Sequence, residues 1–438
     1  MNRFKKYTRI TGKVTLGAFL LLCLAIIIVL FPYFWRHWYT YPSLEDERQN
    51  LLHKYQSPEK LVTKSDFKGV LHAHHYWSHD SRGILAEILP AAKKAGLQYV
   101  FFSDHVRNQL DSFPRGIKGV IDGILFKPGT ESNGMMISPP DSLIIDWSKD
   151  KNLVIKEVAD KGGLIFYVHS EEPHDWSNTD YHGMEIYNIH TDFIDEDGIL
   201  PVLFNSLVNG TRFRHWVYRE LYDDQTNILS LWDSLNNHRK IVGIGSVDAH
   251  NNQSLRARYT DEGKVEWVGP NAKTIDISEP GFKEWLLLNK PDTAGWAFKF
   301  EVDTYFASFN YVNTHVFADT STVQSINHGL KNGNAYISFE NLAAAKGFQF
   351  VALDSNSNVA AIMGDSVVTK QVMKLKAVSP YPVQFRLIKN GENIHSVENV
   401  YQFEFDIHSS PGNYRVEAAL LFDEKWYSWI YTNPIYIF

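Results

Sequence analysis

A chain of 438 residues with 44% apolar side chains, 21% charged side chains and a net charge of −7 is composed like an ordinary folded protein with room for two or three cores. These values exclude a largely disordered chain. With no long basic run beyond the N-terminus, they also argue against a polyanion-binding surface, so no nucleic-acid partner is expected. The one cysteine, Cys23, lies in the first apolar run, which leaves the rest of the chain without internal disulfides, thiolate ligands or a cysteine nucleophile.

The N-terminus carries the clearest bulk signal. Arg3, Lys5, Lys6, Arg9 and Lys13 precede a stretch from Val14 to Trp35 that holds no charge until Arg36, about the length that crosses a bilayer as a helix. No small-x-small cleavage site follows, and Leu22 before Cys23 is a poor lipoprotein signal. Trp35, Trp38, Tyr39 and Tyr41 stand where an interfacial aromatic belt would lie. Residues 1–13 are thus expected in the cytoplasm and residues 14–35 as an uncleaved single-pass anchor in the cytoplasmic (inner) membrane. The body would face the periplasm or exterior. Residues 36–66 read as a polar linker or short helix.

From Phe67 onward, short apolar runs alternate with helical patterns. "GVLHAH", "LQYVFFSDH", "GGLIFYVHS", "GMEIYNIH" and "RKIVGIGSVDAH" read as strands. Between the first two, Ile84, Leu85, Ile88, Leu89 and Ala92 share one helical face, with Gly96 as the stop. Tyr218 to His238 reads as a second helix. This alternation predicts an α/β fold with a parallel sheet or barrel. Past Phe339 only alternating strands follow, with Asn390-Gly391 as a hairpin turn, and residues 340–438 are expected to form a separate β-sandwich.

The stretch "GVLHAHHYWSHDSRG" concentrates four histidines and an aspartate in the nine positions from His72 to Asp80. Alone it is an ordinary His-rich loop as readily as a metal site. Its weight comes from what falls at the other strand ends. Asp104 and His105 follow one apolar strand, Glu131 sits in a glycine-containing loop, His169 ends another strand, and Asp248 and His250 end a further one. In a parallel α/β barrel, residues just past the strands converge on one face. The candidate ligands are His72, His74, Asp80, His105, Glu131, His169, Asp248 and His250. They are too many for one ion and suit two or three divalent ions sharing carboxylates. Nitrogen and oxygen donors fit zinc, manganese or iron without choosing among them.

In this order, the HxH pair, the aspartate six positions past its second histidine, "SDH", "GTE", the strand-end histidine, "GMEIYN" and "DAH" resemble the PHP (polymerase and histidinol phosphatase) family of metal hydrolases. The resemblance covers about Lys68 to Phe339, and the helix ending in "LWDSLNNHRKIVGIGSVDAH", followed by a β-domain, is similar to a branch that includes the carbaryl hydrolase-like enzymes. It implies a distorted seven-stranded (β/α) barrel over residues 67–339 and gives the eight residues above the ligand roles. A further family ligand falls near "GMEIYN", where Asn188 and His190 are the candidates. It also implies that a metal-bridging hydroxide attacks the substrate. Arg82, Arg107, Arg256 and Arg258 are candidates for clamping a phosphate, and Asp104 for orienting a ligand histidine or moving a proton. His75, His79, His174 and His182 receive no role and read as exposed loop histidines. The leading expectation is a membrane-tethered phosphoesterase acting on a small-molecule or envelope phosphoester. The alternatives are a metal-dependent ester, carbamate or amide hydrolase and a non-catalytic envelope binding protein.

Overall fold

The computed structural model describes residues 2–107, 113–194, 199–223, 225–407 and 410–438. A helix from Asn2 to Trp35 runs through a wider turn at 36–40 into a second helix, Tyr41–Leu52. Its apolar window has a mean hydropathy of 2.8 and none of it is buried, so this helix is long and apolar enough to cross a membrane. Where it leaves the apolar window it is tied to the body. Arg36 Nε lies 3.1 Å from Glu220, and the His37 ring nitrogen lies 3.0 Å from Asn209 Oδ1. Tyr41, Leu44 and Leu51 then bury into a core shared with the C-terminal strands, so most of the 36–66 segment is built structure.

Two sheets position the histidines. In the first, Ser65–Ala73 pairs in parallel with Tyr99–Phe102, which pairs in parallel with Ile124–Lys127. The second sheet has six strands, in the order Val242–Ser246, Gly183–Asn188, Leu164–Tyr167, Met135–Ser138, Thr130–Ser132 and Asp104–His105. Met135–Ser138 runs antiparallel to both neighbours, so the expected parallel arrangement is interrupted there. A parallel bridge between Ala73 and Ala249 brings the end of the first strand against the segment that follows Val242–Ser246. The HxH pair and the "DAH" segment therefore meet.

The expected first helix forms as Leu85–Lys94 and is followed by Gly96 at φ +69°, a conformation glycine adopts without penalty. The expected helix from Tyr218 to His238 is instead two helices, Arg214–Arg219 and Thr226–Asn236. The break falls on a polar stretch where the Asp223 amide donates to Asp192 Oδ2. Residues 254–301 form a four-stranded antiparallel sheet of their own.

The strands beyond Phe339 continue the first sheet. Lys425–Thr432 pairs with Ala335–Phe339, and the sheet runs through 14 strands. Asn390 and Gly391, at φ +53° and +93°, make the expected two-residue turn between Lys374–Lys389 and Glu392–Asp406. The first of these strands is 16 residues long and passes through Pro380 and Pro382. Its register is irregular between Val378 and Val383, where prolines supply no N–H to the ladder.

Candidate metal centre

Three of the expected ligands sit in strained backbone: His72, His169 and Asp248 have φ of +60°, +52° and +42°. Residues with side chains rarely adopt such angles, and where they do the surroundings impose it, commonly at functional sites. At His72 the strain coincides with a register shift between Ser65–Ala73 and Tyr99–Phe102. His72 and His74 are fully buried, Asp248 and His250 nearly so.

The carboxylates of Glu131 and Asp248 lie among the imidazoles. Glu131 Oε2 is 2.9 Å from His72 Nε2, 3.3 Å from His74 Nε2 and 3.5 Å from His105 Nδ1. Asp248 Oδ1 is 3.2 Å from His72 Nε2, 3.0 Å from His74 Nε2 and 3.4 Å from His250 Nδ1. Asp80 Oδ2 lies 3.2 Å from His250 Nε2 and 3.5 Å from His105 Nε2. Donor atoms of His72, His74, Glu131 and Asp248 all fall within 4.8 Å of one another, as do those of His74, His105 and His250. Two further sets meet the same limit: His79, Asp80 and His105, and His190, Asp248 and His250. His169 stands at the edge, its Nε2 3.6 Å from Glu131 and 3.8 Å from Asp248.

Hydrogen bonding does not account for this packing. His74 Nε2, Asp80 Oδ1, Asp248 Oδ1 and His250 Nε2 are buried and have no hydrogen-bond partner among the described residues despite their close neighbours. Orphaned polar atoms of this kind are costly. Their convergence on shared points is what a divalent cation satisfies, and the nitrogen and oxygen donors fit one. The electrostatics agree. Burial opposes charge on Glu131 and Asp248, but the surrounding imidazoles outweigh it and hold both well below the usual carboxylate range. Burial likewise opposes protonation of His72, yet Asp248, Glu185 and Glu131 raise it well above its ordinary value. His250 is raised to about 9 by Asp248 and Asp80 against the same burial penalty. His190 moves the other way, to about 4, because burial dominates.

Supporting contacts fix the ring orientations. Glu185, at the centre of "GMEIYN", lies 2.5 Å from His72 Nδ1 and accepts from the His169 amide at 2.7 Å. Asn188 donates to Glu185 and accepts from the His190 and Thr191 amides, so its side chain is engaged away from the cluster. His190, not Asn188, is the one of that pair brought to the donors. Ser78 Oγ sits 2.9 Å from His74 Nδ1 and donates to Asp104. Asp104 thus acts on His74 through Ser78, and its own carboxylate also accepts from the His75 amide and faces the His75 ring.

Several expectations change. His75 is fully buried, contrary to the reading of it as an exposed loop histidine, because Asp104 and Phe102 enclose its ring. His174 and His182 are half-buried and bonded to backbone, while His79 is exposed as expected. The arginines do not form a shared clamp. Arg256 and Arg258, two apart on one strand of the four-stranded sheet, share a face and both lie over Trp296. Arg258 grips Glu266, and Arg256 is fully buried near Glu87 and Glu301. Arg82 donates to Ala272 O and Thr274. Arg107, exposed two residues past His105, is the only one of the four not committed elsewhere among the described residues. Beside the centre a cavity of about 250 Å³ is lined by Glu171, Glu185, Asn188, Asp192 and Asp223.

No protein-family model matches this sequence, and no curated protein matches it. Among solved structures, the chain is similar to a two-domain protein from Bacteroides vulgatus ATCC 8482 described as containing a predicted PHP-like metal-dependent phosphoesterase. The similarity spans 87% of this chain and 98% of that one, at 13% identity and a TM-score of 0.35. The buried cluster of histidines, aspartate and glutamate could hold a metal ion.

Proposed function

We propose that the protein is a membrane-anchored, metal-dependent phosphoesterase. The strands around its centre would make up a distorted (β/α) barrel, its C-terminal strands a β-sandwich-like unit, and its catalytic body would lie outside the cytoplasmic membrane. One observation carries the hydrolase reading: Glu131 and Asp248 each present one oxygen to three imidazoles while neighbouring donor atoms are left without hydrogen bonds. His72, His74, Glu131 and Asp248 would hold one divalent ion, and Asp80, His105 and His250 a second. Bound ions of this kind supply an activated water and neutralise charge developing on the substrate's oxygens. The chain's own residues do the positioning. Glu185 fixes the ring of His72, Ser78 that of His74, and the strained backbone at His169 and Asp248 aims their side chains inward. Arg107 is the cation left to meet a phosphate.

A second reading, hydrolysis of an ester, carbamate or amide, is favoured by the engagement of Arg82, Arg256 and Arg258 elsewhere, since an acyl substrate needs no cationic clamp. The test is metal analysis of the full chain in detergent, followed by assay against p-nitrophenyl phosphate, bis(p-nitrophenyl) phosphate and p-nitrophenyl acetate. About two to three ions per chain with phosphoester turnover supports the first reading. Turnover of the acetate alone supports the second. Failure to retain added zinc, manganese or iron overturns both.

A further inference from the structure

Positive side chains outnumber negative ones in a cavity of about 490 Å³ at the seam between the helix Thr226–Asn236 and the C-terminal hairpins. Its wall carries four cationic side chains, Arg219, Arg386, Arg415 and Lys425, against two carboxylates, Asp233 and Glu417. Arg415 takes up both acids: it donates to Asp233 at 2.7 and 2.6 Å and to Glu417 at 2.7 Å. Arg386 shares Glu417 at 3.3 Å. Arg219 and Lys425 then have no acidic partner among the described residues. Arg219 is only 6% exposed. Its Nη2 donates to Ser428 O at 3.0 Å, its Nη1 has no hydrogen-bond partner among the described residues, and its guanidinium stacks 3.8 Å from the Tyr222 ring. A buried cation without a counter-charge is unfavourable, and an anion seated in the cavity relieves it.

The rest of the wall says what carries the anion. Trp426 and Tyr427 are half-buried at the rim, beside the hydroxyl and amide groups of Ser230 and Asn393. Aromatic faces set among hydrogen-bonding groups suit a sugar ring, and the volume accommodates a small ligand. We propose that this cavity is a second binding site, separate from the metal centre, for an anionic saccharide, a sugar ring bearing a phosphate or a carboxylate.

Calorimetric titration of the metal-stripped full chain in detergent tests this, with glucose 6-phosphate and glucuronate as probes and glucose as the neutral control. The expected result is one-to-one binding of at least one anionic sugar, with the stronger of the two identifying the anion. That binding should weaken at least tenfold in Lys425→Glu and in Arg219→Gln and persist in His74→Ala. Lys425 is exposed, so its variant probes charge without risk to the fold, whereas Arg219→Gln removes a buried charge. The proposal is overturned if neither anionic sugar binds, if glucose binds as tightly, if Lys425→Glu leaves the affinity unchanged, or if His74→Ala abolishes it.

Discussion

Glu185 touches no proposed ion, yet it is the carboxylate nearest His72 Nδ1, and through the His169 amide it joins two ligand segments. Outer carboxylates of this kind orient a ligand ring and raise its basicity, and losing one typically costs 10–100-fold in metal affinity. Glu185→Gln is therefore expected to weaken zinc or manganese binding about 10–100-fold while leaving the fold intact, as read by calorimetric titration and circular dichroism. His72→Ala and Asp248→Ala should lose more, because each removes a donor as well as an orienting contact; retention of a full metal complement by either variant would remove the basis of the hydrolase reading. The clustering of the candidate ligands could be read from sequence because strand ends deliver side chains to one place, and the segments ending in HxH, "SDH", His169 and "DAH" announce themselves as apolar runs with a polar terminus. Glu185 and Ser78 gave no such signal. A glutamate inside "GMEIYN" becomes meaningful only when the neighbouring strand sets His72 opposite it. Arg82, Arg256 and Arg258 are engaged elsewhere for the converse reason. Closeness in sequence says nothing of direction, and Arg256 and Arg258 project together onto Trp296.

Among the elements, the antiparallel pair Val312–Ala318 and Ala335–Phe339 holds a buried network whose stability should depend on pH. His315 lies 2.7 Å from Asp66 and 2.9 Å from Glu340, and Glu340 also pairs with Lys68 at 2.6 Å. Burial opposes charge on His315, but the two carboxylates prevail and raise it to about 9. A histidine bound more tightly to its proton when folded adds stability in full below its unfolded value near 6.5 and loses it as pH rises through about 9. Burial likewise opposes charge on Glu340, but Lys68 and His315 hold it down at about 2, so its contribution is present above about 4.5 and fades as pH falls toward 2. The His315 shift corresponds to roughly 3 kcal/mol. Thermal unfolding of the wild type should thus drop in Tm between pH 7 and 9.5, and His315→Gln should start lower and lose most of that slope. An equal slope in the variant would place the titration elsewhere. At the turn, Gly391→Ala at φ +93° should cost about 1 kcal/mol or more in denaturant unfolding. That turn and the Gly96 stop were legible because they depend on single residues whose dihedral demands are local. The end of a helix at Arg219 and the 16-residue strand through Pro380 and Pro382 were not, because long-range partners decide whether a polar stretch ends a helix or a proline merely bends a strand.

At the scale of the whole molecule, the boundary expected near residue 340 is crossed by both hydrogen bonds and ion pairs. Ala335–Phe339 pairs with Lys425–Thr432, the Asn433 side chain donates to Gly243 O at 3.0 Å, and Arg415 grips Asp233 through two nitrogens. A continuous sheet hides such a seam from sequence, since nothing local in a strand says which neighbour it pairs with. Deleting residues 340–438 would strip Ala335–Phe339 of one partner strand and uncover Tyr336, fully buried in the core shared with the C-terminal strands. It would also leave Asp233 without its counter-charge. Breaking one side of a buried ion pair costs about 3–5 kcal/mol, a large share of a typical stability of about 5–15 kcal/mol. The truncated chain is therefore expected to aggregate instead of yielding a free metal-binding body. Asp233→Ala in the full chain should lower the Tm while keeping one unfolding transition, and added zinc or manganese should raise the Tm of that single transition. Two separated transitions in the full chain, with the ion shifting only the first, would show instead that the halves fold independently and that the sheet joins them without coupling them.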